Sequence, residues 1–237
     1  MCGRYATTRS AADLSALFEA YDDTGGVLPP DYNVAPTDPV PIVRMSKSRG
    51  ERVLAAARWG LVPTWAKDAK GAARMINARA ETVATTSAYA SPFAKRRCLV
   101  PADGWYEWVR RPDGRKQAYF MTPAGGGVLA MAGLWSPWDE GLTFSVVTTA
   151  AIGDLALVHD RMPLLLPWQR WADWLAGGGE PEELLTAPSD EFLAGLEIRP
   201  VGPDVGDVRN DGPHLVARAP GGTVGGPPEE PVELTLF

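Results

Sequence analysis

Residues 98–149 constrain the fold more than any other stretch, because strand-like runs follow one another there across breaks of only a few residues. The runs at 98–103, 104–108, 117–122, 128–135 and 142–149 are too short to stand as helices and are rich in β-branched and aromatic residues. Pro112-Asp113-Gly114 supplies turn chemistry between the second and third of them. So many strands joined by short connections point to a closed or strongly curled sheet that buries its apolar face. The expected class is α+β, a single domain with a curled or barrel-like mixed β core and peripheral helices. With 45% hydrophobic residues in 237, the chain can bury one good core.

The flanking segments add to that core. Residues 40–45 and 52–59 read as two more strands joined by a polar turn. Ser10 followed by Asp13 resembles a helix cap, and Leu14, Leu17, Phe18 and Tyr21 then recur at helical spacing, so a helix is expected over 11–21. Tyr32-Asn33-Val34-Ala35-Pro36 reads as a loop. Downstream, 89–97 reads as a short helix and 151–158 as a short helix or turn, while Leu164-Leu165-Leu166 reads as a buried strand. A helix opens at Pro167, where Trp168, Trp171, Trp174 and Leu175 suit core packing. Another helix is expected from Pro181, a return to the sheet at 198–201, and a loop over 205–210. From Ala219 onward Pro, Gly and Glu dominate, so the domain is expected over 1–218 with 219–237 as a flexible acidic tail.

Net charge is -6, but its distribution is uneven. Residues 58–111 hold ten Lys/Arg against four Asp/Glu, a local +6, and residues 170–237 hold four against thirteen, a local -9. The basic middle either forms an anion-binding face or scatters over solvated surface. No apolar run of 18 residues and no leader-like start occur, which points to a cytoplasmic protein. The two cysteines, Cys2 and Cys98, can pair in principle and are expected as free thiols in a reducing compartment, Cys98 as an inert core thiol. Two Cys and two His, far apart in sequence, make no zinc set, and neither metal nor cofactor is expected.

Three features carry chemistry. The first is Met1-Cys2-Gly3-Arg4. Removal of Met1 would leave Cys2 with a primary amine and a thiol on adjacent carbons, a pair that condenses with an aldehyde through an imine to a thiazolidine. The plain alternative is an incidental Cys on a frayed end. The second is Ile76-Asn77-Ala78-Arg79-Ala80-Glu81, which as a strand sets an amide, a guanidinium and a carboxylate along one face. Such a row either faces water or lines a site. The third is Gly104-Trp105-Tyr106-Glu107-Trp108, the densest aromatic cluster, with Trp105 and Glu107 on one face and Tyr106 and Trp108 on the other.

Taken together, Met-Cys-Gly-Arg, Tyr32-Asn33-Val34-Ala35-Pro36, Trp59-Gly60-Leu61-Val62-Pro63 with Trp65, and Ile76 to Thr82 resemble the SRAP family, the SOS-response-associated peptidases that shield abasic sites in single-stranded DNA. Cys98 to Trp108 and His159-Asp160-Arg161-Met162-Pro163 complete the likeness, which runs in order to about residue 218. The resemblance implies the SRAP fold and covalent attachment of Cys2, once Met1 is gone, to the ring-opened aldehyde of an abasic site. It implies catalytic roles for Cys2, Asn77, Glu107 and His159, and DNA contacts for Arg4, Asn33, Trp65, Arg79, Trp105 and Arg161. It further implies AP lyase activity by β-elimination, autoproteolysis exposing Cys2, single-stranded DNA containing abasic sites as the partner, and work at the nucleoid. A monomer is expected.

In that chemistry His159 suits the proton transfer that opens the sugar, and Glu107 beside two Trp residues would act near the amine with a raised pKa. Glu81 is expected to hold Arg79 in place. Two other readings stand beside this one: a cysteine peptidase acting on other proteins through Cys2, His159 and Glu107 or Asn77, and a non-catalytic single-stranded DNA binding module.

Overall fold

The computed structural model describes residues 2–26, 28–139 and 141–219. Thirteen strands are found among them: β1 (Tyr5–Thr7), β2 (Tyr21–Asp22), β3 (Asp31–Val34), β4 (Pro39–Ser46), β5 (Glu51–Trp59), β6 (Asn77–Arg79), β7 (Arg97–Ala102), β8 (Gly104–Arg110), β9 (Lys116–Pro123), β10 (Leu129–Trp138), β11 (Gly141–Ala150), β12 (Arg161–Pro163) and β13 (Leu196–Val201). Five short helices surround them: α1 (Ala11–Phe18), α2 (Ala90–Lys95), α3 (Trp171–Ala176), α4 (Pro181–Leu184) and α5 (Asp190–Ala194).

A closed sheet forms as expected, but not from all the tightly spaced runs: β7, β10 and β11 join β4 and β5 in it, while β8 and β9 pair with each other in a second sheet. β5 pairs β4, β4 pairs β7, β7 pairs β10 and β10 pairs β11, all antiparallel. A short parallel contact then joins β11 back to β5 at Thr143↔Arg58 and Phe144↔Trp59, completing a five-stranded ring. β2 extends the ring beside β5, and β6 and β12 both attach to β11. A second sheet runs β13-β9-β8-β1-β3.

Alternation along the ring strands divides their side chains between two cores. Val40, Ile42, Trp59, Cys98, Val100, Met131, Phe144 and Val146 share one core with Tyr5, Val34, Trp105 and Met121 of the second sheet. Val43, Leu54, Leu99, Ala132 and Val147 pack instead under the helices, against Leu14 and Phe18 of α1, Phe93 of α2, and Trp174 and Leu175 of α3. The far face of the second sheet buries Tyr106, Phe120 and Val201 with Leu215. The face assignment made for β8 is therefore the one observed. No helix among the described residues is long and apolar enough to cross a membrane.

Several local expectations are corrected. α1 stops at Phe18, not at residue 21: Ser10 caps its start, but Glu19 turns left-handed (φ 50°) and Tyr21–Asp22 leaves to pair with β5. The segment read as a loop at 32–36 begins as strand β3, because the N-terminal strand β1 offers it a pairing edge. The strand expected at Leu164-Leu165-Leu166 lies three residues earlier, at β12; the three leucines are buried, and Leu165 makes an isolated bridge to Met131. Of the three tryptophans expected in the core, Trp174 is buried and Trp171 stacks on Phe18 at 4.5 Å, whereas Trp168 faces solvent. At 205–210 the chain opens with a 3₁₀ turn, Pro203–Gly206. The expected flexible tail falls almost wholly on 220–237, outside the described residues; before it, Arg218 bridges to Val201 and pairs with Glu197.

Two residues hold the ring to its surroundings. Gly104, the first residue of β8, has no room for a side chain: a Cβ would stand 2.3 Å from the Met121 carbonyl oxygen and 2.6 Å from the Phe120 ring. Arg97 is buried with no carboxylate partner among the described residues. Its guanidinium donates instead to carbonyls of Trp174, Phe93 (2.9 Å), Asp173 (3.5 Å) and Gly178 (2.8 Å), gathering the unsatisfied C-terminal ends of α2 and α3. The rings of Trp174 and Phe93 lie 5.5 and 5.7 Å from its carbon centre. Arg97→Met should cost about 3 kcal/mol by orphaning these carbonyls, and Arg97→Lys nearly as much, since an ammonium lacks the planar fork. A chemical denaturation midpoint checks this; a lysine variant as stable as the parent would contradict the account.

Candidate active site

The N-terminus is drawn inward by strand pairing. β1 runs antiparallel to β8 with Tyr5↔Trp105 and Ala6↔Gly104, and the Tyr106 N–H donates to the Arg4 carbonyl at 3.0 Å. Continued by one step, that register carries the chain past Glu107. Cys2 is accordingly fully buried (0% exposed), packed with Tyr5, Trp59, Trp105 and Met162. Both cysteines are free and buried.

Asn77 reaches the same place from β6. Its backbone is held by the parallel pairing Asn77↔Val146, and its carbonyl accepts from the Tyr89 hydroxyl at 3.0 Å. Its side-chain amide donates to the Cys2 carbonyl at 2.6 Å, while its Oδ1 is buried with no hydrogen-bond partner among the described residues. Glu107 is 4% exposed on β8. Burial pushes its carboxyl pKa up, the nearby His159 pulls it down, and Asp160 raises it again. Burial likewise pushes the Cys2 thiol up, helped by the Glu107 charge. Glu107 thus lies within electrostatic reach of both Cys2 and His159, and Asn77 is bonded to Cys2.

His159 follows the 3₁₀ turn Gly153–Leu157 and is anchored by its N–H to the Leu155 carbonyl at 3.1 Å. Its Nδ1 lies 2.9 Å from the Arg161 N–H and 2.7 Å from Asp160 Oδ1. Arg161 forks onto Glu81, with Nη1 to Oε1 at 2.5 Å and Nη2 to Oε2 at 2.9 Å, and Nη2 also donates to the Thr148 carbonyl at 2.6 Å. Glu81 therefore holds Arg161, not Arg79 as expected from strand alternation: β6 ends at Arg79, and the turn that follows swings Glu81 across to β12. The pairing holds the Glu81 carboxyl below its ordinary pKa range.

The residues expected at a DNA face are dispersed in role. Trp65 is 67% exposed, and Arg79 also faces solvent. Trp105 is 1% exposed and belongs to the core, so it presents no ring face to solvent. Arg4 donates to Asn33 Oδ1 at 2.5 Å and to the Val205 carbonyl at 2.9 Å. Buried Asn33 in turn donates to the carbonyls of Asp207 and Asn210, both at 2.9 Å, so its amide is satisfied inside the protein and ties β3 to the C-terminal turns. Sequence reading did not single out Tyr89, Thr148 or Asp160 as parts of this network. For Tyr89 there was no local signal, because its contact with Asn77 comes from packing alone; Asp160 stood inside a quoted motif with no role attached. Among the described residues no group of three or more His, Cys, Asp or Glu is placed to hold a metal ion.

The profile of the SOS response associated peptidase (SRAP) family matches residues 1–208. This chain belongs to the SRAP family. Among its relatives is the abasic site processing protein YoqW of Bacillus subtilis, 31% identical over 223 residues covering 91% of this chain and 99% of YoqW. The abasic site processing protein YedK of Escherichia coli is 32% identical over 237 residues, covering 91% of this chain and 99% of YedK. A crystal structure of a Bacteroides thetaiotaomicron protein superposes with a TM-score of 0.78 at 24% identity, covering 92% of this chain and 100% of that one, so the fold is shared. The closed mixed barrel with peripheral helices is the SRAP fold.

The raised pKa of Glu107 carries a stability consequence with a definite sign. A carboxyl whose folded pKa lies above its unfolded value favours folding while protonated, and that contribution is lost as pH rises through the folded pKa. Glu107→Gln should therefore melt about 2–4 °C higher than the parent at pH 8, as about 1 kcal/mol would in a domain of this size, with the gap closing below pH 4. Thermal melts across pH check it, and a lower melting temperature at pH 8 would contradict it.

Proposed function

We propose that this SRAP protein senses abasic sites in single-stranded DNA and, after removal of Met1, traps them covalently through Cys2. The observation that carries the reading is the 2.6 Å bond from the Asn77 amide to the Cys2 carbonyl, made within electrostatic reach of the buried Glu107 carboxyl. The names of YoqW and YedK, both abasic site processing proteins, support it.

The chemistry balances with the residues present. With Met1 gone, the Cys2 amine adds to the aldehyde of the ring-opened sugar, and the carbinolamine loses water to give an imine. The thiol then adds to the imine carbon while its proton passes to nitrogen, closing a thiazolidine. A thiol kept protonated by burial suits that last step, because the proton it gives up is the one the nitrogen takes. Asn77 orients Cys2 without adding charge. Glu107, more often protonated than an exposed carboxyl, can give a proton to the departing hydroxyl and recover one from the amine. His159 serves the opening of the cyclic sugar. β-Elimination from the imine would give lyase activity, and attack within the Met1–Cys2 junction would give autoproteolysis. Arg79 and Trp65, both exposed, suit contacts to phosphate and base that are indifferent to sequence.

Mixing the processed protein with single-stranded DNA bearing one abasic site should yield a heat-stable adduct by intact mass, absent in Cys2→Ala. A full-yield adduct in that variant would overturn the reading, and tight salt-sensitive binding with no adduct would favour a non-catalytic binding module. Trp65→Ala should weaken binding to intact single strands about tenfold, within the ~1–3 kcal/mol of one stacked base, and leave the adduct rate at saturating DNA unchanged. Fluorescence anisotropy and adduct kinetics, measured side by side, check that separation.

A further inference from the structure

We infer that Asp160 is a positioning residue for this site: its carboxylate and the Arg161 backbone amide compete for Nδ1 of His159, and Asp160 is the partner that makes Nε2 a proton acceptor. The inference rests on the function proposed above and assigns a residue that function did not use. Nδ1 lies 2.7 Å from Asp160 Oδ1 and 2.9 Å from the Arg161 nitrogen. The two bonds exclude each other, because the amide donates to a lone pair and the carboxylate accepts a proton, and Nδ1 holds one or the other.

The two partners differ in how firmly they are held. The Arg161 amide belongs to β12, which pairs with β11 at Ala150↔Arg161, and the Arg161 side chain is locked on Glu81 and the Thr148 carbonyl. The backbone of Asp160 is also fixed, its carbonyl accepting from the Ala151 N–H at 2.9 Å, but its carboxylate is 84% exposed and can turn away. The amide is therefore the standing partner and Asp160 the movable one. With the amide on Nδ1, the neutral ring carries its proton on Nε2 and can only donate there. With Nδ1–H on Asp160, Nε2 holds the lone pair, takes a proton, and leaves an imidazolium whose charge the carboxylate offsets.

Opening a cyclic hemiacetal needs that second arrangement. One proton leaves the hydroxyl on the anomeric carbon, the bond from that carbon to the ring oxygen breaks, and the ring oxygen gains a proton. His159 takes the first proton at Nε2 and returns it to the ring oxygen, so no net proton is consumed. Among the described residues, the carboxylates of Glu107 from β8 and of Asp160 beside it in the chain act on the imidazole, while Arg161 meets it through its backbone amide and turns its guanidinium to Glu81.

Asp160→Asn and Asp160→Glu in the full processed chain separate this role from simple charge repulsion of DNA. Single-turnover adduct formation at saturating abasic single-stranded DNA should slow about fivefold in D160N, the scale of one exposed charge pair, and recover in D160E. Affinity for intact single strands should stay equal or tighten in D160N, because a negative charge is lost. Long-range ¹⁵N spectra give a readout independent of activity, since His159 and His214 are the only histidines and His214→Gln assigns them. The neutral His159 ring should move toward the Nε2–H tautomer in D160N. An unchanged tautomer, or a D160N rate equal to or above the parent's, would overturn the inference. If the parent forms no adduct, the proposed function falls, and the tautomer measurement still decides the role of Asp160.

Discussion

The packing around Trp59 is the interaction on which the rest of the structure depends. This fully buried residue ends β5 where the ring closes, its indole lying 6.5 Å from the Phe144 ring across the two-residue parallel seam. The Gly60 N–H donates to the Phe144 carbonyl at 2.8 Å just beyond it. The same indole meets Tyr5 edge-on at 5.1 Å and donates its N–H to the Ile76 carbonyl at 2.9 Å. One side chain therefore joins barrel closure, the N-terminal strand and the approach to Asn77. Closing the barrel and bringing Cys2 to Asn77 are a single packing event, which explains why residues 75 apart in sequence meet at 2.6 Å.

That construction sets polar groups into a core that resists them. Glu107 is carried inward by β8, which is paired on both sides, by β1 and β9, so its strand cannot turn the carboxyl outward without breaking a ladder. Asn77 Oδ1 and the Tyr5 hydroxyl are buried with no hydrogen-bond partner among the described residues. Buried groups left in this way cost stability, and they persist because the surrounding sheet holds the backbone in register. The site is rigid for the same reason that it is costly.

The basic middle of the chain shows what a charge count misses. Arg97 contributes to the local +6 yet points inward to carbonyl oxygens, and Lys70 lies 3.6 Å from Asp68. Outside that segment, Arg4 and Arg161 are occupied by Asn33, Val205, Glu81 and Thr148. A cation spent on satisfying backbone or carboxylate oxygens inside the fold adds little to a surface field. Arg79 and the exposed Trp65 are the expected DNA-facing residues that meet solvent most openly.

Alternation, turn chemistry and run length determined the strands of residues 98–149 and the opposed faces of Trp105 and Tyr106, because those signals act between near neighbours; their division between two sheets was decided only by the tertiary structure. The ordered motifs likewise determined the family and nominated Cys2, Asn77, Glu107 and His159. Only the tertiary structure decided that Tyr32 and Asn33 lie in a strand, that α1 ends at Phe18, that Trp105 is core, and that Glu81 takes Arg161 instead of Arg79. Each of those outcomes turns on a partner far away in sequence. A pairing edge, a burial depth or an ion-pair partner does not exist until the barrel has closed, and no local pattern encodes it.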